Sequence, residues 1–401
     1  MISKIALLGN MNNNNFSFLR YLKDFGYNVK LLLYDNEPAI FNIENDVFDK
    51  EIKYSIIKLK WGSPKSLFFV KKKNITRDLK DFNFIIGTGL APAFLYKAKI
   101  KLDVFIPYGA DIDYFTKFNL TYPNKIFYNF FTTVYQRKGL KNLNICHMEK
   151  YSQNIEKKRI KFLKYKKRWE FPFPLIYHPE YCSKNLETNI LKNKYLKKFI
   201  DDSEQINVKI LYPVRHVWGG AKEDLNQKGT ENLFEGIKIF RNHYPNISIK
   251  LVTFKYGDSI KNSIKLADQL LIRDNIEFLE EMPRKDIITL MSKFDIVCGE
   301  FYHSWVSASV YFEAIISKTM LMCFRDDKDF EERKNLLYPI INAKNPKEIS
   351  KKIYEYYCNK DKYKKNIEIA YNWYLNEVVK RSKDLYLKEF DKNKLSGQEL
   401  I

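Results

Sequence analysis

The sequence predicts an α/β protein made of two doubly wound parallel-sheet units, and three observations carry that prediction. Apolar runs of roughly four to seven residues alternate with amphipathic stretches of helical period, as strands buried on both faces and their crossover helices require. The rhythm starts afresh near Val208, beyond a stiff, non-helical connector, Phe171-Pro-Phe-Pro174. The 401 residues are enough for two such units, and a content of 45% hydrophobic and 16% aromatic residues can fill two cores.

In the first unit, Lys4-Ile-Ala-Leu-Leu-Gly9 reads as a strand. A helix follows over Phe16–Phe25, with Phe18, Leu19, Leu22 and Phe25 on one face and Gly26 as its stop. Further strands read at Asn28–Tyr34, Phe84–Gly87, Val104–Pro107 and Leu143–Cys146. In the second unit, strands read at Lys209–Pro213, Ile249–Phe254, Ile276–Leu279, Asp295–Cys298 and Met320–Phe324. Helices fall between them at Thr230–Tyr244, Asp258–Ile272, Arg284–Phe294 and Val306–Ser317. The expected divisions are 1–175, 176–365, and a C-terminal helical segment, 366–401, that crosses back to the first unit.

Glycine is scarce, 14 in all, so its placement is informative. Gly9, Gly87, Gly89, Gly109, Gly219, Gly220 and Gly299 stand at or just past the C-terminal ends of expected strands, where open parallel sheets bind ligands. Turns of α/β proteins use glycine anyway, and it is the concentration on both edges that points to a ligand.

Lysine and arginine number 69 against 48 acidic residues, a net charge of +21. The excess suits phosphates, anionic lipid or nucleic acid, although an AT-rich gene would produce the same Lys-, Asn- and Ile-rich chain with no partner. The five cysteines are widely spaced and contain no C-x-x-C pair, which argues against a disulfide framework and a structural zinc site. The short apolar run Ile5–Leu8 does not make a signal peptide, and no run is long enough to span a membrane. The expectation is a cytoplasmic protein whose membrane contact, if any, is peripheral.

Two segments carry candidate chemistry. In Tyr212-Pro-Val-Arg215-His-Val-Trp-Gly-Gly220 followed by Gln227-Lys228-Gly229-Thr230, an arginine past a strand and a lysine before a helix can converge on one diphosphate. The bland alternative is two solvated surface cations. The second segment, Asp295-Ile-Val-Cys-Gly-Glu300 through His303, Ser307 and Glu313, reads as strand, loop and helix. Ser307 falls in the expected first turn, where backbone amides accept phosphate oxygens, and Glu313 falls where a carboxylate could grip ribose hydroxyls. A solvated helix-face carboxylate is the competing reading of Glu313.

Together these segments resemble the nucleotide-sugar domain of GT-B glycosyltransferases, especially the retaining family 4 (group 1) type. The resemblance implies two Rossmann-like domains facing each other across a cleft. It makes Arg215 and Lys228 the diphosphate ligands and catalytic cations, with Gly229 completing the K-G motif. It places Glu313, in Glu313-Ala-Ile-Ile316, on the nucleotide ribose. Glu300, His303 and Ser307 complete the expected donor side.

The first unit resembles the acceptor domain of the same fold. Asn12, Asn13 and Asn14 lie in its polar loop, and Tyr108-Gly109-Ala-Asp111 matches the G-x-D segment. Two departures stand out. Trp305 occupies the place of a glutamate eight positions before Glu313, leaving Glu300 as its substitute. Tyr108 stands where many members carry histidine.

The resemblance implies a metal-independent transfer from a nucleotide-sugar, a UDP-sugar first, to a glycan or lipid-linked acceptor in surface polysaccharide or glycoconjugate synthesis. No cofactor, metal or nucleic acid is expected. Leaving phosphate would take the acceptor proton in a retaining enzyme, and Asp111 would be the base in an inverting one. A nucleotide-sugar epimerase on the same fold and a non-catalytic basic scaffold are the rivals.

The five histidines show no paired spacing, and His216 and His303 flank the expected site. P-loop and nucleophile-elbow patterns are absent. The stretch 157–168 is densely cationic with Ile160, Phe162, Leu163 and Tyr165 interleaved, which suits an anionic inner leaflet or a solvated amphipathic helix. Lys71, Lys72 and Lys73 could extend that patch.

Overall fold

The computed structural model describes residues 4–38, 41–48, 55–118, 126–149, 160–193, 196–197, 200, 205–220 and 224–396. The chain divides into two units, Met1–Tyr177 together with Asn376–Ile401, and His178–Leu375.

Among the described residues, unit 1 is built on seven strands: β1 (Lys4–Leu8), β2 (Asn28–Leu33), β3 (Ile56–Lys58), β4 (Phe84–Gly87), β5 (Val104–Phe105), β6 (Leu143–His147) and β7 (Tyr165–Trp169). All pair in parallel, in the order β3-β2-β1-β4-β5-β6-β7, with Ile5 opposite both Val29 and Phe84. Strand order reverses between β1 and β4, so the loops after these two strands border the switch point where doubly wound sheets bind ligands. The interior strands are covered on both faces, which is why they read as uninterrupted apolar runs. The helix Asn14–Asp24 ends as expected at Gly26, whose φ of +84° lets Tyr27 N donate to Leu22 O.

The edges differ from expectation. β3 and β7 were not legible as strands, and β7 occupies the end of the cationic stretch in place of the solvated helix. Leu143 to His147 of β6 fix its register against Tyr165 to Trp169. Trp169 is buried, with its ring 4.7 Å from Tyr386. That tertiary pairing overrides the helical preference of a Lys-rich run, and lysines on an outer strand also discourage edge-to-edge aggregation. Lys157, Lys158 and Arg159 lie outside the described residues.

Residues beyond Asn376 complete unit 1 from its far end in sequence. Tyr386 sits 4.7 Å from Phe18, and Phe390 sits 4.7 Å from Phe84. The crossover passes through a π-helical turn, Tyr374–Lys380, while the helix Lys360–Trp373 stays in unit 2.

Unit 2 has six described strands: β8 (Val208–Tyr212), β9 (Ile249–Phe254), β10 (Ile276–Leu279), β11 (Ile296–Cys298), β12 (Met320–Cys323) and β13 (Ile341–Asn342). Their order is β10-β9-β8-β11-β12-β13, again all parallel, with the switch point between β8 and β11. Helices of this unit include Thr230–His243, Ile260–Gln269, Arg284–Met291, Ser309–Ile316 and Pro346–Cys358. The expected helix from Val306 begins three residues later, at Ser309. No helix among the described residues is long and apolar enough to cross a membrane.

Candidate functional site

At the switch point of unit 2, the loop after β11 lies against the turn that starts the helix Thr230–His243. Gly229 caps that helix at φ +73°, and a Cβ there would stand 3.0 Å from the Phe301 carbonyl carbon and 3.1 Å from Tyr302 N. Both the backbone angle and the close approach require glycine. Phe301 N donates to Lys228 O, and Lys228 N donates to Val217 O, so backbone bonds lace the lysine between two loops.

The same lacing aims two charges at each other. Lys228 Nζ is 2.5 Å from Glu300 Oε1, and both side chains are nearly enclosed. Trp305 Nε1 donates to the other Glu300 oxygen at 2.8 Å. Trp305, eight positions before Glu313, thus orients Glu300. Gly299 lets Glu300 turn here, because a Cβ would meet the Tyr311 ring at 2.3 Å.

Arg215 follows β8, is exposed, and makes no hydrogen bond or ion pair among the described residues. Tyr256 feels the charges of Glu313, Arg215, Glu281 and Glu300, and its hydroxyl donates to Pro213 O. Burial first, then Glu313, pushes that hydroxyl up to about 12, so it stays a donor at neutral pH. Glu313 is buried on the helix Ser309–Ile316, and its Oε1 accepts from Arg284 Nε at 2.7 Å. A Glu300–Lys228 pair and a Glu313–Arg284 pair therefore share one electrostatic neighbourhood with Arg215 and Tyr256. Neither Arg284 nor Tyr256 was singled out by the sequence, because each reaches the site from a different helix or loop.

Other expectations change. Ser307 precedes the Ala308 cap and lies outside the helix. His303 is half-buried, with Nε2 against Asp224 O at 2.9 Å. His216 does not face a ligand at all. It is fully buried, Nδ1 against Ser263 Oγ and Nε2 against Thr253 Oγ1, both at 2.9 Å, and burial lowers its pKa to about 4.

In unit 1 the polar loop turns only partly inward, with Asn12 exposed. Asn12 and Asn13 adopt left-handed backbone angles, and Asn13 is buried, accepting from Asn10 Nδ2 at 2.7 Å. Asn10 also accepts from Phe16 N, while its own N–H donates to Glu37. Asn14 stands half-buried as the first residue of the helix Asn14–Asp24.

Asp111 is completely buried. Its Oδ1 accepts from Gly109 N, Ile112 N and Tyr108 N, and its Oδ2 from Gly89 N. Four backbone amides hold this carboxylate, and it is spent on binding the loop after β4 to the loop after β5. The sequence offered Asp111 as a base, and the structure gives its carboxylate this structural role. Gly109, at φ +121°, makes the turn possible, and Tyr108 is half-buried beside Gly89. Burial, then Asp111, then Glu37 raise the Tyr108 hydroxyl's pKa, so it too remains a donor.

The sequence spells Asp-x-Asp at Asp111/Asp113 and Asp327/Asp329, but Asp111 is committed to amides and Asp327 takes Arg325 at 2.6 Å. No group of three His, Cys, Asp or Glu residues that could hold a metal occurs among the described residues.

No protein-family model matches the sequence, and no curated protein matches it. Solved structures do. A glycosyltransferase from Rickettsia africae ESF-5 is 15% identical with a TM-score of 0.62, covering 96% of this chain and 98% of its own. Sucrose-phosphate synthase from Thermosynechococcus elongatus is 11% identical with a TM-score of 0.61, over 97% and 100%. Anabaena Alr3699/HepE, in complex with UDP and glucose, is 11% identical with a TM-score of 0.58, over 99% and 100%.

This chain has the GT-B fold. At these identities the likeness is one of architecture, and it runs the length of the chain. UDP-GlcNAc 2-epimerases match at lower similarity, so the GT-B fold alone does not choose a reaction.

Proposed function

We propose that this GT-B protein is a glycosyltransferase that moves a sugar from a UDP-sugar to a glycan or lipid-linked acceptor in surface glycan synthesis. The observation that carries this reading is the buried Lys228–Glu300 pair, seated by Gly229 at the switch point of unit 2. An ammonium has three donors. One stays on Glu300 and aims the group, leaving the others for diphosphate oxygens. Arg215, exposed after β8, would add a planar fork, the better shape for bridging phosphates. The fourteen-residue helix that starts at Thr230 turns its first amides the same way. Glu313, oriented by Arg284, takes the ribose hydroxyls. UDP is bound in the HepE structure that shares the fold, which supports uridine as the donor nucleoside.

The reaction follows from these groups. The bond from the anomeric carbon to the diphosphate breaks, and its electron pair goes to the phosphate oxygen. Lys228 and Arg215 stabilise that developing charge without a metal. The acceptor hydroxyl adds from the same face, and its proton passes to the leaving phosphate, which gives retention and needs no protein base. Burial of Asp111 favours this course over inversion. The polar loop at Asn12–Asn14, with Tyr108 and Gly109, is the acceptor side.

Titration calorimetry with UDP-, GDP- and CMP-sugars tests the reading. The expected result is UDP-sugar binding that is lost in Lys228→Ala. Binding of no nucleotide-sugar overturns it in favour of a scaffold. Turnover of donor to its epimer without acceptor overturns it in favour of an epimerase.

A further inference from the structure

Unit 1 exposes a large aromatic face. Phe69, Phe127 and Phe130 are 61%, 62% and 56% exposed. Their rings fall into two groups, both carried in part by the helix Ile126–Leu140. Phe68 is 4.9 Å from Phe127 and 5.3 Å from Phe131, Phe69 is 6.0 Å from Tyr128, and Phe130 stacks on Phe118 at 5.2 Å. Three chain segments contribute: the helix Pro64–Phe69, the turn ending at Phe118, and the helix Ile126–Leu140. Large contiguous apolar patches on a soluble surface mark contact sites.

The helix Ile126–Leu140 is amphipathic in the wrong sense for a free surface. Its buried positions include Thr132, Thr133 and Gln136, and Gln136 is spent on the Gly89 and Asp111 carbonyls. Its outward positions include Phe127 and Phe130. Water therefore meets phenylalanine while threonine and glutamine face the protein.

The chemistry of the missing cover is set by the rim. Segments 64–77, 114–118, 126–148 and 160–169 contain no aspartate or glutamate, and Lys65, Lys71, Lys72, Lys73, Lys117 and Lys161 are exposed along them. Arg137 lies between Phe118, at 4.5 Å, and Phe162, at 4.6 Å, which joins the cationic stretch to the aromatic face. A second copy of the chain would bring like charges together. We infer that this face docks on an anionic lipid bilayer, its phenylalanines in the boundary between headgroups and acyl chains and its lysines among the phosphates. The lipid contact is thereby centred on the helices Pro64–Phe69 and Ile126–Leu140, with residues 161–168 contributing only rim charge. The inference is independent of sugar transfer, because lipid binding is measured without donor.

Flotation of the full chain with vesicles tests it, comparing phosphatidylcholine alone with a phosphatidylcholine/phosphatidylglycerol mixture. The expected result is binding to the mixture that persists in part at high salt, since inserted rings are not screened as charges are. Changing Phe69, Phe127 and Phe130 to Ser should weaken it by about tenfold or more with the melting midpoint unchanged. The single Phe127→Ser variant gives a smaller loss in the same direction and is the readout should the triple variant fold poorly. Absence of binding by wild type overturns the inference, as does wild-type binding by both Ser variants. A wild-type dimer that disperses in the triple variant, with no lipid binding, assigns the face to a second copy instead. Complete displacement from vesicles by RNA assigns it to nucleic acid.

Discussion

The two switch points use buried carboxylates in opposite ways. Asp111 of unit 1 is held by four backbone amides, whereas Glu300 of unit 2 is held by the side chains Lys228 and Trp305. Amides from two loops cannot release an acid without moving the loops, so Asp111 fixes a shape. A lysine can share its ammonium with a second anion by rotating a few bonds, so Glu300 keeps a cation in store. The difference teaches that burial alone does not identify a catalytic acid; the kind of partner does.

The sharpest way to break this comparison is Asp111→Ala. It leaves the amides of Gly89, Tyr108, Gly109 and Ile112 without an acceptor, at roughly 1–3 kcal/mol for each that water cannot reach, or on the order of 4 kcal/mol in all. Urea unfolding should show that loss. Full stability with abolished turnover would instead restore Asp111 as the base.

Next comes Lys228→Met, which strands Glu300 and should cost about 3 kcal/mol of stability. Adding Glu300→Gln should recover most of that stability but not donor affinity, which stays lower by roughly 1.5–3 kcal/mol. Recovery of both by the double variant would place the donor elsewhere.

The buried histidines provide one probe in each unit. Burial holds His147 at about 3 and His216 at about 4, both below the unfolded value. Their contribution is complete above about pH 6.5 and falls as acid protonates the unfolded chain first. Each should cost about 2 kcal/mol between pH 7 and pH 5. Denaturation curves of His147→Gln and His216→Gln should show a correspondingly flatter acid limb. An unchanged acid limb would mean that neither ring is held neutral.

Arg215→Ala should be the quietest for the fold, within about 0.5 kcal/mol, because the side chain is exposed and unbonded among the described residues. It should still weaken the donor by about tenfold in calorimetry, the value of one charge-assisted contact. Glu313→Gln should raise the donor KM severalfold, with a stability loss of about 1–3 kcal/mol because the enclosed Arg284 loses its counter-charge. An unchanged KM removes Glu313 from the ribose.

The interior of both sheets was legible because strands covered on two faces must be apolar without interruption, as in β4, β11 and β12. The edges β3, β7 and β13 were not, being short or charged and held by their neighbours. The placement of Arg215 just past a strand, of Lys228 and Gly229 just before a helix, and of Glu313 on a helix was legible from chain position. Arg284 could not, since it meets Glu313 only when two helices pack. His216 was misjudged for a related reason: adjacent to Arg215 in sequence, it turns inward to Ser263 and Thr253, and chain position does not reveal that choice.

The return of residues 376 onward to unit 1 also orders events during synthesis. Val378, Tyr386 and Phe390 are core residues there, yet they are made after every strand of unit 2. Domains ordinarily fold in the order they leave the ribosome. Here unit 2 has all its residues once Leu375 has emerged, while unit 1, begun first, waits with Phe18, Phe84 and Trp169 lacking their last neighbours. The nascent chain therefore carries that half-built surface until residues 376 onward have emerged.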